Sequence, residues 1–160
     1  LRFDMNTPCD HYRSSLKCPW DRGRTRMRQM IFRDALLLAY SKQCAFTQIR
    51  AVEALEASHI IPWSQASNSE RLDVRNGILL NRLHHRLVDA GRMTITKGYR
   101  IVYDDPRETK RAYSGLDRQM TSGLHGRRIS LPKSEQLWPS VEYIERHHEI
   151  GGWDARRLET

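Results

Sequence analysis

Long apolar runs are missing from this chain of 160 residues. No run of roughly 18 apolar residues occurs, the length a bilayer-spanning helix needs, so no membrane partner is expected. The first residues lack the apolar core of a secretory leader. Cysteine is scarce: Cys9, Cys18 and Cys44 are an odd number with no C-x-x-C pair. That argues against a disulfide-stapled scaffold and fits a reducing, cytoplasmic setting. Acidic residues are outnumbered, 19 against 27 Lys and Arg, for a net charge of +8. A basic balance of this kind suits a polyanionic partner. Internal repeats and low-complexity tracts are absent. The chain opens on Leu1 rather than Met, from which we expect a fragment, with an upstream recognition domain missing.

At 39% hydrophobic and 29% charged residues, the composition is that of one globular domain with a modest core. Residues 1–22 show no periodicity and are punctuated by Pro8 and Pro19, so they read as an arm or linker remnant. From about Thr25 to Tyr40 the pattern is helical, with Met27, Ile31, Ala35 and Leu38 on one face and Met30 and Leu37 widening it. Arginines in its first turn would oppose the helix dipole unless an anion sat there. Residues 43–62 read as β-like, ended by Pro62, and 64–73 as a polar loop. Gly77 to Leu80 reads as a short buried strand. Asn81 caps a helix over about Arg82 to Ala90, and Gly91 suits its C-terminal end. Lys97-Gly98 signals a hairpin between 93–96 and 99–103. Pro139 can start a last helix running to about His148. These elements predict an α+β fold, with 23–150 as the main domain and 151–160 as a tail.

One stretch carries chemistry. His59 ends an apolar, strand-like run; Asn76-Gly77 follows after a loop; His85 and Asp89 stand four apart on one face of a helix. A lone imidazole beside such a His/Asp pair suggests a base next to a divalent metal, and the positive surroundings suggest a phosphodiester.

The ordered segments L-E-A-S-H-I-I-P (55–62), V-R-N-G-I-L-L (74–80) and L-H-H-R-L-V-D-A-G (83–91) resemble the HNH endonucleases, whose active site is the ββα-metal, or His-Me, finger. The lead-in around Arg28 to Thr47, and L-H-G-R-R-I-S-L-P and P-S-V-E-Y-I-E-R-H-H in the tail, are similar to bacterial restriction-type members. The resemblance implies a ββα-metal core with flanking helices and a hairpin. It implies a catalytic set of His59 as general base, Asn76 as the residue holding the loop in register, and His85. His85 and Asp89 would hold one divalent metal ion, Mg²⁺ or Mn²⁺ first and Zn²⁺ or Ni²⁺ as alternatives. His84 is the alternative ligand to His85, and otherwise would face DNA or the base. Many relatives carry a ligand just before the base where this chain has Ser58, a weak divalent ligand. Glu56, of the same strand parity, is a candidate substitute or else a solvated charge.

Double-stranded DNA is the implied partner, gripped through its backbone by basic residues, for which we take Arg24, Arg26, Arg28, Arg86, Arg127 and Arg128. Arg107, Lys110 and Arg111 form a further basic cluster, and Arg22 and Arg33 extend the first. Cutting both strands would suit a homodimer. The implied setting is a bacterial or phage restriction or defence system. Two alternatives stand beside it: a DNA-binding module whose nuclease site has decayed, and a nuclease toxin domain that has lost its delivery domain. Cys9, His11, Cys18 and Cys44 are a weaker candidate for a structural zinc. Cys44, beside Ala45-Phe46, reads as a buried small hydrophobe.

Overall fold

The computed structural model describes residues 19–106, 108–110, 112–154 and 158, with residues 19–22 and 24 described by backbone alone. Residues 1–18 of the expected arm (1–22), the zinc candidates Cys9, His11 and Cys18, the basic residues Arg107 and Arg111, and most of the expected tail lie outside these residues, while 19–22 are helical rather than an irregular arm. The side chains of Arg22 and Arg24 do as well.

The fold is α+β. Helix α1 (Pro19–Ala39) leads into β1 (Leu55–His59), β2 (Gly77–Asn81) and α2 (Arg82–Asp89). The hairpin β3 (Met93–Ile95) and β4 (Ile101–Tyr103), the short helix α3 (Gly115–Gln119) and α4 (Val141–Gly151) follow. β1 and β2 are antiparallel, pairing Ser58 with Ile78 and His59 with Gly77. β3 and β4 pair Thr94 with Val102. No helix among the described residues is long and apolar enough to cross a membrane.

Helix α1 begins at Pro19 rather than near Thr25. Proline suits a first helical position, because its missing N–H is not needed there. Arg26 and Arg28 therefore sit beyond the first turn, out of the dipole's strongest reach, and Arg22 is the arginine within it. The buried face also differs from the expected one. Phe32, Leu36, Leu37 and Tyr40 enter the core, while Met27, Met30, Ile31 and Leu38 stay exposed. Two apolar stripes with the same spacing compete on this helix, and the one carrying the two aromatic rings is buried. Arg33, counted with the basic cluster, turns inward instead, and its Nη2 donates to the carbonyls of Val52 and Leu55 at 3.2 Å.

The expected strand over 43–62 shrinks to Leu55–His59. Cys44, Ala45 and Phe46 are buried as foreseen for an apolar run, but in turns. Helix α2 forms as its end residues require. The Asn81 side chain accepts from the His84 amide, and at the far end Gly91 adopts φ +63°. Arg92 N then bonds Leu87 O at 2.8 Å and Gly91 N bonds Val88 O at 2.9 Å, closing the helix in a Schellman motif. Gly77 permits a close approach of α1: a Cβ there would sit 2.5 Å from Phe32 Cζ and 2.7 Å from Leu36 Cδ1.

Candidate active site

Strand β1, strand β2 and α2 form one ββα unit, and the 60–76 loop connects its two strands. His59 closes β1, so its ring is fixed by the strand end. Phe32 stacks against it at 3.9 Å between centroids, and Trp63 meets it edge-on at 5.4 Å. Its Nε2 lies 3.1 Å from the carbonyl oxygen of Arg71. A carbonyl can only accept, so Nε2 carries the proton and Nδ1 holds the lone pair. Nδ1 has no partner among the described residues. His59 is half-buried and lines a cleft, and Nδ1 is left toward it. Burial pushes the His59 pKa below its ordinary value, with His85 and the Arg71 guanidinium adding to the effect and the Arg71 carbonyl opposing it. The ring is therefore neutral at neutral pH, as a proton acceptor must be.

Across the same cleft, of about 680 Å³, lie His85, Asp89 and Glu56. One helical turn sets His85 Nε2 3.7 Å from Asp89 Oδ1. The other nitrogen, Nδ1, lies 2.7 Å from Glu56 Oε2. With a neutral imidazole, Nδ1–H donates to Glu56 and Nε2 presents its lone pair beside the Asp89 carboxylate. A carboxylate behind a ligating histidine is the usual support for a metal-bound imidazole. Among the described residues, no group of three or more His, Cys, Asp and Glu is assembled to hold a metal. An imidazole nitrogen and a carboxylate oxygen on one helix face are donors of the kind that divalent ions take.

Ser58 and His84 are not brought to this place. Ser58 is buried behind the strand, in a small void lined by Phe46, Ile78 and Thr94 among others. His84 is fully buried, with Nε2 2.9 Å from Met120 O and Nδ1 3.7 Å from Cys44 Sγ. It ties α2 to the segment after α3, facing neither DNA nor His59. The 100° step between neighbouring helical residues separates it from His85.

Asn76 is fully buried and spans the loop. Its Oδ1 accepts from Ile61 N at 2.8 Å, and its Nδ2 donates to Glu70 O at 3.0 Å. The two bonds tie Asn76 to the start of the loop and to the residue just before Arg71, whose carbonyl orients His59. Helix α4 braces the same loop from outside. Arg146 Nη1 reaches Glu70 Oε1 at 2.7 Å, and Tyr143 OH reaches Asp73 Oδ2 at 3.1 Å. His147 Nδ1 donates to Ile60 O at 2.8 Å. The i, i+3, i+4 placement of Tyr143, Arg146 and His147 on one helix face is the signal that could have marked this brace. Arg71 was missed too, and nothing in its local sequence distinguishes it.

The basic residues divide. Arg26, Arg86, Arg127 and Arg128 are exposed, and none of them lines the cleft. Arg28 is half-buried and donates to Asn68 Oδ1 at 3.1 Å.

Residues 44–96, which span β1, β2, α2 and β3, match the sequence model of the HNH endonuclease family. Among solved structures, the chain is similar to a modification-dependent TagI restriction endonuclease, at 13% identity and a TM-score of 0.47. That likeness covers 74% of this chain and 36% of the other, so the chain spans about a third of that structure's length. No curated protein matches the chain. The family match falls on the ββα unit that carries His59, Asn76, His85 and Asp89, and on that ground residues 44–96 are an HNH endonuclease domain.

Proposed function

We propose that the protein is a metal-dependent DNA endonuclease. The observation that carries this reading is the free Nδ1 of His59 in the same cleft as the His85–Asp89 donor pair. His59 Nδ1 takes a proton from a water molecule. The water oxygen forms a bond to phosphorus as the bond from phosphorus to the 3′ oxygen breaks. That oxygen leaves as the alkoxide and takes a proton from solvent, giving a 5′ phosphate and a 3′ hydroxyl. His85 and Asp89 would hold one divalent ion, Mg²⁺ or Mn²⁺ first, with Zn²⁺ and Ni²⁺ as alternatives. When bound, the ion supplies charge relief at the phosphate and at the leaving oxygen. Glu56 keeps the His85 imidazole in the tautomer that leaves Nε2 bare, and Asn76 keeps the 60–76 loop in register.

In this reading α1 and the residues that follow it to 150 form the nuclease unit, with the residues before α1 as an arm or linker and 151–160 as a tail. Arg24, Arg26, Arg28, Arg86, Arg127 and Arg128 are the candidates for contacts to the DNA backbone, the exposed ones first. A restriction or defence role in a bacterial or phage setting, in the cytoplasm and with a second copy for double-strand cutting, completes it.

The test is a cleavage assay across Mg²⁺, Mn²⁺, Zn²⁺ and Ni²⁺ on supercoiled DNA, methylated DNA and RNA. Metal-stimulated nicking or cutting of DNA is the expected result. The observation favouring a second reading, a DNA-binding module with a decayed site, is the buried Ser58 and the two-residue donor set. That reading predicts salt-sensitive DNA binding with no cleavage at any metal.

A further inference from the structure

Helix α4 contributes to the cleft a histidine that lies outside the 44–96 match. His147 lines the cavity together with His59, His85 and Asp89. Its Nδ1–H is used on the Ile60 carbonyl, which holds the ring in place one residue beyond His59. Its Nε2 has no partner among the described residues and is not one of their orphaned buried atoms, so it reaches solvent. The titratable and charged groups around the ring are His148 beside it on α4, at 5.8 Å between ring centroids, and Arg33, Glu56, His59, His85 and Asp89 in the cleft.

A cleft that takes a phosphodiester anion needs hydrogen-bond donors aimed at the phosphate. Among the described residues lining this one, Arg33 is the sole Arg or Lys, and its guanidinium is turned to the Val52 and Leu55 carbonyls. His59 donates its proton to Arg71, and His85 is held by Glu56. In the nuclease reading His59 keeps Nδ1 for the attacking water and His85 turns Nε2 toward Asp89, so His147 is the cleft imidazole whose second nitrogen has no role assigned to it.

We propose that His147 is a phosphate-contacting residue of this cleft, its Nε2–H donating to a non-bridging oxygen of the scissile phosphodiester. The proposal rests on the nuclease reading above. In the free protein, burial holds the imidazole below its ordinary value, opposed by the Ile60 carbonyl. An arriving phosphate brings the negative charge that favours the protonated ring, so the donor forms on binding. Helix α4 is then part of the active site as well as the brace of the loop behind His59.

Two near-isosteric variants separate these roles. Asn places its amide nitrogen near the position of Nδ1, so His147→Asn keeps the bond to Ile60 and removes the Nε2 donor. Gln places its amide nitrogen near Nε2, so His147→Gln keeps the donor and removes the bond. With an unchanged melting temperature, His147→Asn should lose about tenfold to a hundredfold in DNA cleavage, the effect of one charge-assisted hydrogen bond. His147→Gln should recover most of that loss. Near wild-type cleavage by the Asn variant, or a Gln variant no better than Asn, overturns the proposal. If His147→Asn does not fold, the Gln variant decides alone: cleavage near wild type supports the contact, and inactivity overturns it. A metal-free arm keeps the proposal separate from the nuclease reading. The His147 ring resonance, identified by its absence from the Asn variant, is followed by NMR as a short DNA duplex is added in EDTA. Should wild type cleave nothing, the nuclease reading fails. A ring signal that moves with the duplex still supports the phosphate contact, and one that stays still overturns it.

Discussion

Glu56 Oε2 lies 2.7 Å from Nδ1 of His85, while Nε2 of the same ring points to Asp89. The carboxylate thus sets which nitrogen of His85 is available. Arg82 Nε stands 3.8 Å from the other oxygen of Glu56, and the Glu56 side chain is about one-third exposed, at 35%. Glu56→Gln keeps the shape and removes the charge. The expected outcome is a fall in divalent-metal affinity on the order of 10- to 100-fold with little change in folding stability. Calorimetric titration with Mn²⁺ measures it, and unchanged affinity would show that Glu56 is a solvated charge only.

Asn76→Ala tests the loop. It strips the partner from Ile61 N–H, which is buried, and leaves the Glu70 carbonyl with only the longer bond from Asp73 N–H, at 3.3 Å. An unsatisfied buried group costs ~1–3 kcal/mol, so the variant should unfold at clearly lower temperature. Cleavage should fall further than stability explains, because Arg71 and then His59 lose their fixed positions. A variant with wild-type thermal unfolding would refute the assignment of Asn76 as the loop's holding residue.

Gly77→Ala connects the fold to the site. At φ −143° the backbone accepts any residue, so the effect is steric. The new methyl group would overlap Phe32 and Leu36, and overpacking of this kind costs ~1–3 kcal/mol. Phe32 is also the ring on which His59 stacks. A lowered denaturation midpoint together with reduced cleavage is expected. Lost stability at full activity would mean that the Phe32 stack does not position the base.

Acid should weaken both folding and catalysis. Burial lowers the pKa values of His59, His147 and His148 in the folded chain, whereas the unfolded chain titrates near its ordinary value of ~6.5. Below that value the unfolded state binds more protons, so stability rises with pH through this window. The contribution is fully present above ~6.5 and is lost as pH falls through the lowered folded values. The melting temperature should drop as pH is taken from about 7 to about 5. On the same limb, kcat/KM should fall with an apparent pKa below 6.5, as His59 gains the proton it must lack to act as a base. A limb centred above 6.5 would contradict the burial argument.

Some of this was legible in the sequence, for reasons that are local. Asn81 and Gly91 mark the ends of α2 through their own side-chain and backbone chemistry, so that helix was readable to within a residue. Lys97-Gly98 announced the β3–β4 hairpin in the same way. His59, Asn76, His85 and Asp89 were singled out by their order along the chain and by the i, i+4 spacing. The buried face of α1 was not readable. Met27, Ile31 and Leu38 form a stripe as regular as that of Phe32, Leu36 and Tyr40, and only packing against β1 and β2 decides between them. Arg33 read as a surface cation because its acceptors are carbonyls of a segment about 20 residues away. The spacing of Tyr143, Arg146 and His147 marks one face of α4, but what that face braces was hidden by distance. Arg146 and Glu70 are 76 residues apart in sequence, and no local pattern joins them. The choice between His84 and His85 was open because both stand near the expected spacing; burial of His84 against Met120 and Cys44 leaves His85 in the cleft.

The central claim is that the His59 imidazole takes the proton from the attacking water. Single-turnover cleavage of a DNA duplex by wild type and by His59→Ala, with duplex binding measured in parallel, tests it most directly. The account predicts that the Ala variant binds the duplex as wild type does and cleaves it at least about 100-fold more slowly, the contribution expected of a general base. An Ala variant that binds normally and cleaves at the wild-type rate would contradict it.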